Sequence, residues 1–431
     1  MGPAWSRIGP LARALAGCRR FGVLSGLALF AHLGASACGA RSELDGIGAI
    51  SADGGKPDVS LPRDATVDAP SDVPVADGPP VRDAQTVTDA TADSSDDTDA
   101  DAGYPEPPSC RPGGPGMTNC GDAGTASCCV SPEVDGGTFY RTYRNPGSGP
   151  TNEADPATVS SFRLDAYLVT VGRFRQFVMA WTAGYLPAAG SGKQTYLNGG
   201  RGLVDVGGPP DAGTTYETGW DVGNDGDVAP TDGNLACTFD LPFDAGLPSY
   251  ATWTPSPATH ENLPIGCVNL WEAYAFCIWD EAFLPSDAQR NYAAAGGSEQ
   301  RDYPWGSTDP GTANRYAIYG TPAGDCYFPD GRLCDGVGNI APVGTATLGA
   351  TAWGQLDLTG ELWERSIDFA FAFVDPCVDC AYVSGGSAGS PRWIRGASFG
   401  SSIYELGPSY IAYEPATYRD PTTGFRCARA P

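Results

Sequence analysis

The hydrophobic positions between residues 160 and 185 follow two spacings in direct succession. From Ser161 to Thr170, apolar and polar residues alternate, which is typical of a strand with one buried face. The following segment has apolar residues three or four positions apart, at Val171, Phe174, Phe177 and Val178. That period places them on one side of a helix. The pattern therefore predicts a strand followed directly by an amphipathic helix.

Two further helices are predicted where apolar spacing coincides with residues that favour helix ends. In "NLWEAYAFCIWDEA", Asn269 is a suitable N-cap, and one face carries Trp271, Tyr274, Ala275 and Ile278. The next helix starts at Ser286, which forms an S-x-x-Q capping box with Gln289, and it ends before Gly296 and Gly297. Because strands do not alternate with long helices, a doubly wound α/β sheet is not expected.

Residues 1–37 carry the features of an export signal. Four arginines precede an apolar run of 13 residues from Phe21 to Leu33, which is too short to span a bilayer as a helix. The run leads to "ASAC", which resembles a bacterial lipoprotein signal in which Cys38 becomes the lipid-carrying first residue. Plain secretory cleavage after Ala37 is the alternative. We expect an exported protein, anchored through Cys38 to the outer membrane or at the cell surface.

Residues 38–108 have the composition of a disordered linker. From Ala40 to Pro108 there are 14 Asp and 2 Glu against 4 basic residues, with no aromatic residue before Tyr104. Such a segment buries too little apolar surface to offset the entropy of ordering. The whole chain has a formal net charge of −25. Nucleic acid is therefore not an expected partner, because its phosphates would be repelled.

The 14 cysteines of the chain favour an oxidising compartment and several disulfides. Residues 109–130 form a glycine-rich stretch that we interpret as a disulfide-stapled cap, with Cys110, Cys120, Cys128 and Cys129. Three internal pairings are possible, and the sequence does not choose between them. Cys377-x-x-Cys380 is interpreted as a loop disulfide rather than a redox pair. Residues 131–431 then have the composition of one globular domain.

Ser398 lies in a Gly-x-Ser-x-Gly match from Gly396 to Gly400 and is a candidate nucleophile. A nucleophilic serine needs a base, normally a histidine. The chain has two histidines, His32 in the signal segment and His260, and none follows the serine. An α/β-hydrolase requires its histidine after the nucleophile. The match is therefore interpreted as a glycine-rich turn.

Several segments of residues 131–431, in order, resemble the formylglycine-generating enzyme (sulfatase-modifying factor) family: "FRLDAYLVTVGRFRQFV", "ENLPIGCVNLWEAYAFCIWDEAFLPSDAQRNYAAAGGSEQRDYPWG", "APVGTATLGATAWGQLDLTGELWER", "WIRGASF" and "GFRCAR". The resemblance implies an α+β domain with the C-type-lectin-like fold of that family, with little regular secondary structure. It also implies a disulfide between Cys277 and Cys427. In this register Arg395 and Ser398 belong to a substrate groove.

The chain departs from the family at places that matter for chemistry. It has "LPSDAQRN" where the family has "LPTEAEWE", "DLTGELWER" for "DLAGNVWEW", and "RGASF" for "RGGSF". The family's enzymes bind copper(I) through two cysteines after that last turn, and soft thiolates suit Cu(I). Here Ser401 and Leu406 occupy those positions, and no cysteine lies between Arg395 and Cys427. Copper is therefore not expected.

The resemblance also implies two calcium sites built from oxygen ligands. The first comprises Asp357, Gly360, Leu362 and Glu364; the second, a weaker match, comprises Asn314, Arg315, Asp335 and Val337. A solvated turn is the alternative for the first set. We therefore expect a calcium-stabilised, non-catalytic binding module for a peptide, a glycan or an envelope protein. The alternative function is oxidation of a sulfatase cysteine to formylglycine or a related oxidation.

Overall fold

The computed structural model describes residues 105–144, 153–209, 211–239, 249–331, 333–387 and 389–431. The predicted signal segment, Cys38 and the predicted linker up to residue 104 lie outside the described residues. Within these ranges, no helix is both long enough and apolar enough to cross a membrane.

Four α-helices occur in the described part of the chain: α1 (Val171–Thr182), α2 (Asp232–Leu235), α3 (Leu270–Trp279) and α4 (Asp287–Ala294). The three predicted helices are confirmed as α1, α3 and α4. At α3 the Asn269 side chain accepts the N–H of Glu272 at 2.9 Å, and the Glu272 carboxylate accepts the Asn269 N–H at 3.2 Å. Ser286 and Gln289 make the same reciprocal pair at α4. These capping boxes satisfy N–H groups that the first turn leaves unpaired.

The strands are short: β1 (Glu133–Val134), β2 (Gly137–Tyr140), β3 (Pro156–Val159), β4 (Phe162–Leu164), β5 (Val204–Asp205), β6 (Thr215–Tyr216), β7 (Trp363–Phe369), β8 (Cys377–Val378), β9 (Cys380–Ala381), β10 (Pro391–Arg395), β11 (Ile411–Pro415), β12 (Thr423–Gly424) and β13 (Ala428–Arg429). The largest sheet has the order β11-β10-β7-β12, with β10 antiparallel to both neighbours and β12 parallel to β7. Three small sheets have the orders β1-β4-β13, β2-β3-β8 and β6-β5-β9. Strand β11 is the outer strand of the largest sheet.

The strand predicted from Ser161 to Thr170 is only three residues long, from Phe162 to Leu164. Beyond it, Asp165 is fully buried, and its carboxylate accepts a hydrogen bond from Arg173 at 2.9 Å. The chain then leaves the sheet so that the Thr170 hydroxyl caps α1. The apparent alternation therefore continues through a buried loop in which both kinds of side chain are enclosed.

The centre of the core is the contact between α1, α3 and the C-terminal segment. Phe174 of α1 stacks against Phe276 of α3, with ring centroids 5.7 Å apart, and Phe425 packs on Phe276 at 5.4 Å. Beside this aromatic cluster, Cys277 and Cys427 form a disulfide. The disulfide holds α3 and the C-terminal segment together. Arg426, next to Cys427, then donates to the Leu356 carbonyl at 2.9 Å.

The cysteine-rich cap is joined to the domain by a buried ring of charges. Its disulfides are Cys110–Cys129 and Cys120–Cys128, one of the three possible pairings. Arg173 donates to Asp165 at 2.9 Å and to Asp280 at 2.7 Å, and Arg429 contacts the same two carboxylates. The backbone N–H of Ser109, in the cap, donates to Asp280 at 2.8 Å. Positive and negative side chains alternate around the ring, so each buried charge has an opposite charge beside it that offsets the free-energy cost of its desolvation.

Candidate functional site

The turn that contains Ser398 begins where β10 ends, and its backbone is held in an unusual conformation. Gly396 has φ +100° and Ala397 has φ +64°, both in the left-handed region. The Gly396 carbonyl accepts hydrogen bonds from the N–H of Gly360 at 2.6 Å and from the Thr359 hydroxyl at 3.1 Å. The RGASF turn and the DLTGELWE turn therefore form one rigid unit.

Ser398, which the resemblance assigns to a substrate groove, is buried within this turn. It is 3% exposed, and its N–H donates to the Ser401 hydroxyl at 3.0 Å. Leu406 is completely buried and packs in an apolar cluster with Ala317, Tyr319, Trp363, Ile394 and Ala397. The two positions that carry copper-binding cysteines in the resemblance are thus filled by a hydrogen-bonded hydroxyl and an aliphatic side chain.

Arg395, the other residue that the resemblance assigns to the groove, is also buried. Its guanidinium donates to both carboxylate oxygens of Asp287, at 2.5 and 2.9 Å. It also donates to the backbone carbonyl of Pro408 at 3.0 Å. Because two fixed donors meet one carboxylate, the pair holds its geometry firmly. Arg395 therefore positions the loop around Pro408 without reaching solvent.

That loop forms one wall of an open cleft of ≈ 1040 Å³. Tyr404 projects from this wall and is 79% exposed. The cleft is rich in tyrosine and is lined by Thr142, Tyr143, Arg144, Arg301, Asp302, Tyr303, Ile403, Tyr404, Gly407, Pro408, Ser409, Tyr410 and Ile411. A concave surface with aromatic side chains and a few polar groups has the character of a ligand site.

The ionisable groups of the cleft are shifted by partial burial. Burial raises the pKa of Tyr303, and Asp309 and Asp302 raise it further. Burial and the nearby Glu405 raise the pKa of Tyr410. Both phenols are therefore neutral at physiological pH and able to donate hydrogen bonds. The Tyr303 ring stacks on Trp305 with centroids 4.9 Å apart, which stiffens this wall.

The described residues offer no pair of thiolates for Cu(I). All twelve cysteines of the described ranges are joined in six disulfides. His260, the one histidine in these ranges, has its Nδ1 3.0 Å from the carbonyl of Thr252. Nor does any group of three or more His, Cys, Asp and Glu residues come together there in a metal-binding arrangement.

The first predicted calcium set does not fit the ion as arranged. Both oxygens of the Glu364 carboxylate accept hydrogen bonds from guanidinium groups: Arg426 at 2.8 and 3.0 Å, and Arg290 at 3.1 Å. Asp357 is buried and accepts the N–H of Gly344 at 2.7 Å. Burial, the largest cause, raises the pKa of Asp357 to about 6. A calcium ion bound through Glu364 would have to displace two arginines.

Glu361, between those residues, was not among the predicted ligands, and it carries an unusual carboxyl group. One oxygen accepts the N–H of Ala341 at 2.8 Å, whereas the other is buried without a hydrogen-bond partner. Burial and the neighbouring Asp357 raise the pKa of Glu361 well above its ordinary value. Burial and the neighbouring carboxyl group therefore both disfavour the charged form of Glu361.

The second predicted calcium set fits better. The Asn314 Oδ1 atom is buried and has no hydrogen-bond partner, while Nδ2 donates to the Tyr327 carbonyl at 3.1 Å. A disulfide between Cys326, which adjoins Tyr327, and Cys334 brings Asp335 toward this segment. The Asp335 side chain is exposed. A buried amide oxygen without a partner and an exposed carboxylate are each oxygen donors of the kind that a hard cation takes.

Sequence reasoning missed Arg290 and the tyrosines of the cleft. The sequence did show that Arg290 differs from the tryptophan of the family's "LPTEAEWE" motif. It did not show that Arg290 pairs with Glu364. The cleft residues come from three distant segments, and Tyr143, Tyr303 and Tyr404 follow no shared motif. Only the fold brings them together.

Fold and site together define a disulfide-rich α+β domain with a tyrosine-lined cleft, and the six disulfides indicate an extracytoplasmic protein. The family described as sulfatase-modifying factor enzyme 1-like domain matches residues 130–431, and the chain belongs to it. The fold is therefore that of the formylglycine-generating enzymes, with little regular secondary structure. Members of this family often bind calcium.

Relatives in this family differ in the activity that their names state. The chain is 26% identical over 325 residues to the formylglycine-generating enzyme of Thermomonospora curvata, covering 69% of this chain and 92% of that protein. It is 31% identical over 177 residues to the inactive C-alpha-formylglycine-generating enzyme 2 of Bos taurus, covering 40% and 53%. Among solved structures, PvdO from Pseudomonas aeruginosa has a TM-score of 0.43 and 18% identity, covering 74% of this chain and 100% of that one. Membership alone therefore does not decide between catalysis and binding.

Proposed function

We propose that the domain is a non-catalytic binding module whose tyrosine-lined cleft holds an extended peptide. The observation that carries the proposal is the contrast between two neighbouring places. Ser401 and Leu406, to which the sequence resemblance assigns the copper-ligand positions, are both buried, whereas the adjoining cleft of ≈ 1040 Å³ is open. Such a molecule keeps the binding surface and lacks the oxidising centre.

An extended peptide suits the cleft because an edge strand borders it. Ile411, the first residue of β11, lines the cleft, and β11 pairs with β10 on one side only in the described sheet. The backbone groups on the free side of such a strand are able to pair with a peptide, while pockets beside it select side chains. Tyr404 and Tyr410 supply the aromatic contact area that commonly dominates such interfaces.

The cellular setting follows from the sequence prediction. A lipid on Cys38 would anchor the chain at the outer membrane or cell surface, and residues 38–108 would hold the domain away from the membrane. The envelope is then where the peptide partner would be met. For calcium, we propose the second set alone, where the unpaired Oδ1 of Asn314 supports it.

A peptide selection tests the binding proposal. A random heptapeptide phage library would be panned on the intact protein and on Tyr404→Ala. We expect peptides that bind the intact protein and lose at least about tenfold affinity in the variant, because an exposed aromatic anchor is removed. Met179→Ala is the control, since Met179 is 62% exposed on α1 and does not line the cleft. Equal affinity for all three proteins would refute the cleft as the site.

An activity assay separates this proposal from sulfatase-cysteine oxidation, the alternative. The protein would be incubated with Cu(I), oxygen and a CxPxR-type peptide, and the peptide mass would be measured. We expect an unchanged cysteine, because Ser401 and Leu406 supply no thiolate. Formation of formylglycine would instead support the enzymatic alternative and overturn the non-catalytic assignment.

A further inference from the structure

Three carboxyl side chains lie within eight residues of one tight turn. Asp357, Glu361 and Glu364 are each no more than 5% exposed. Carboxylates brought together in a buried place repel one another and lose the hydration that water would provide. Such a turn needs a compensating positive charge.

Two arginines from distant parts of the chain provide that charge. Arg426 enters from the C-terminal segment and binds Glu364 through both Nε and Nη2, at 2.8 and 3.0 Å. Arg290 enters from α4 and donates to the same carboxylate at 3.1 Å. Both guanidinium groups are buried. Burial lowers the pKa of Arg290, and the adjacent Glu364 opposes that shift. A guanidinium keeps its proton in proteins because its ordinary pKa is so high.

The same guanidinium groups also bind backbone oxygens around the turn. Arg290 donates to the carbonyl of Leu358, and Arg426 donates to the carbonyl of Leu356 at 2.9 Å. A divalent cation would be held in the same manner, by a carboxylate together with backbone carbonyls. The two arginines therefore supply positive charge and also occupy the carboxylate and carbonyl oxygens that a cation would use.

We infer that Arg290 and Arg426 are the permanent cation of this turn, and that the chain binds no calcium through Glu364. Arg290 is the decisive residue, because the same guanidinium nitrogen contacts both the Leu358 carbonyl and the Glu364 carboxylate. Cys277–Cys427 and the capping box of α4 hold the two arginines in place. This turn is consequently rigid without a metal ion.

Calcium binding tests this inference once the other candidate loop is removed. In Asp335→Ala the exposed carboxylate of the second set is lost, so any calcium that remains would belong elsewhere. We expect native mass spectrometry in calcium to show no bound ion, and the melting temperature to be the same in calcium and in EGTA. A bound ion, or a melting temperature that falls in EGTA, would overturn the inference. Neither readout depends on the peptide proposal.

Removal of the arginine tests the second half of the inference. Arg290→Gln leaves the Glu364 carboxylate with one guanidinium in a buried place, and we expect the melting temperature to fall by roughly 5 °C or more. The matched control is Arg111→Gln, because Arg111 pairs with Glu281 while both side chains are 55% exposed. That control should change little. An unchanged melting temperature in Arg290→Gln would show that its guanidinium does not serve as the cation.

Discussion

Ser401 and Leu406 are both buried, and the structure uses both side chains for packing. Ser401 holds the backbone N–H of Ser398, and Leu406 fills an apolar cluster beside Trp363. Arg290 and Gly396 are also tightly packed, on the other side of the turn. Their positions are so close that Gly396 has no room for a Cβ atom beside the Arg290 guanidinium.

Gly396→Ala is expected to destabilise the domain by more than an ordinary glycine substitution. Positive φ alone costs an alanine about 1–2 kcal/mol. At Gly396 the new Cβ would also meet the Arg290 guanidinium and lie 2.9 Å from the Leu358 carbonyl oxygen. Gly354→Ala is the matched control, because its φ is +95° but no atom lies within 4 Å. Chemical denaturation should show a larger loss of unfolding free energy at Gly396, and equal losses would contradict the steric argument.

Helix α3 is the element that connects most of the molecule. Its first turn is capped by Asn269, its Glu272 carboxylate binds Arg419, and its Cys277 is disulfide-bonded to Cys427. The Asn269 side chain also donates to the Asp227 carbonyl at 2.8 Å, which fixes the segment before α2. One residue therefore serves the helix and an adjoining loop.

Asn269→Ala is expected to lower the unfolding free energy by about 1–2 kcal/mol, because the cap acceptor is lost. The replacement also leaves the Asp227 carbonyl without this donor. Asn269→Ser should cost less, since a serine hydroxyl still caps the helix but does not reach that carbonyl. Urea denaturation of the three proteins checks the order. A serine variant as unstable as the alanine variant would show that the cap contributes little.

At the scale of the whole molecule, buried carboxyl groups give stability two opposite dependences on pH. Burial alone would raise the pKa of Asp165, but Arg429 and Arg173 outweigh it and lower that pKa. Burial raises the pKa of Asp368 and of Glu414 to about 7 each. Asp165 therefore stabilises the fold above its unfolded-state pKa and ceases to do so as pH falls through its folded value. Asp368 and Glu414 favour folding progressively more as pH falls through their folded values toward their lower unfolded values.

The melting temperature should therefore rise as pH is lowered from 8 to about 5 and fall again below about 4. Differential scanning calorimetry across this range measures it. Asp368→Asn should flatten the rise between pH 8 and 6, because one of the groups with a pKa raised to about 7 is removed, although the variant also loses one carboxylate acceptor. A wild-type melting temperature that falls steadily from pH 8 to 5 would contradict these shifts.

Local signals were sufficient for much of the fold. Asn269 and Ser286 mark helix starts because capping depends on residues only three positions apart. The strand predicted to Thr170 was wrong beyond Leu164, because alternation does not distinguish a strand from a loop buried on both sides. The sequence did not determine how the four cap cysteines pair, since three pairings are possible and only spatial proximity distinguishes them.

The sequence by itself determined the ordered motifs of the family, the missing cysteines after Arg395 and the strongly acidic charge, because these depend on residue identity alone. Tertiary structure decided which charged groups meet. Glu364 has oxygen atoms suited to calcium, but in the fold they accept hydrogen bonds from Arg290 and Arg426, which are distant in sequence. The open cleft beside the buried Ser398 was likewise decided by packing. Burial and pairing depend on distances in space, which a linear pattern of residues does not contain.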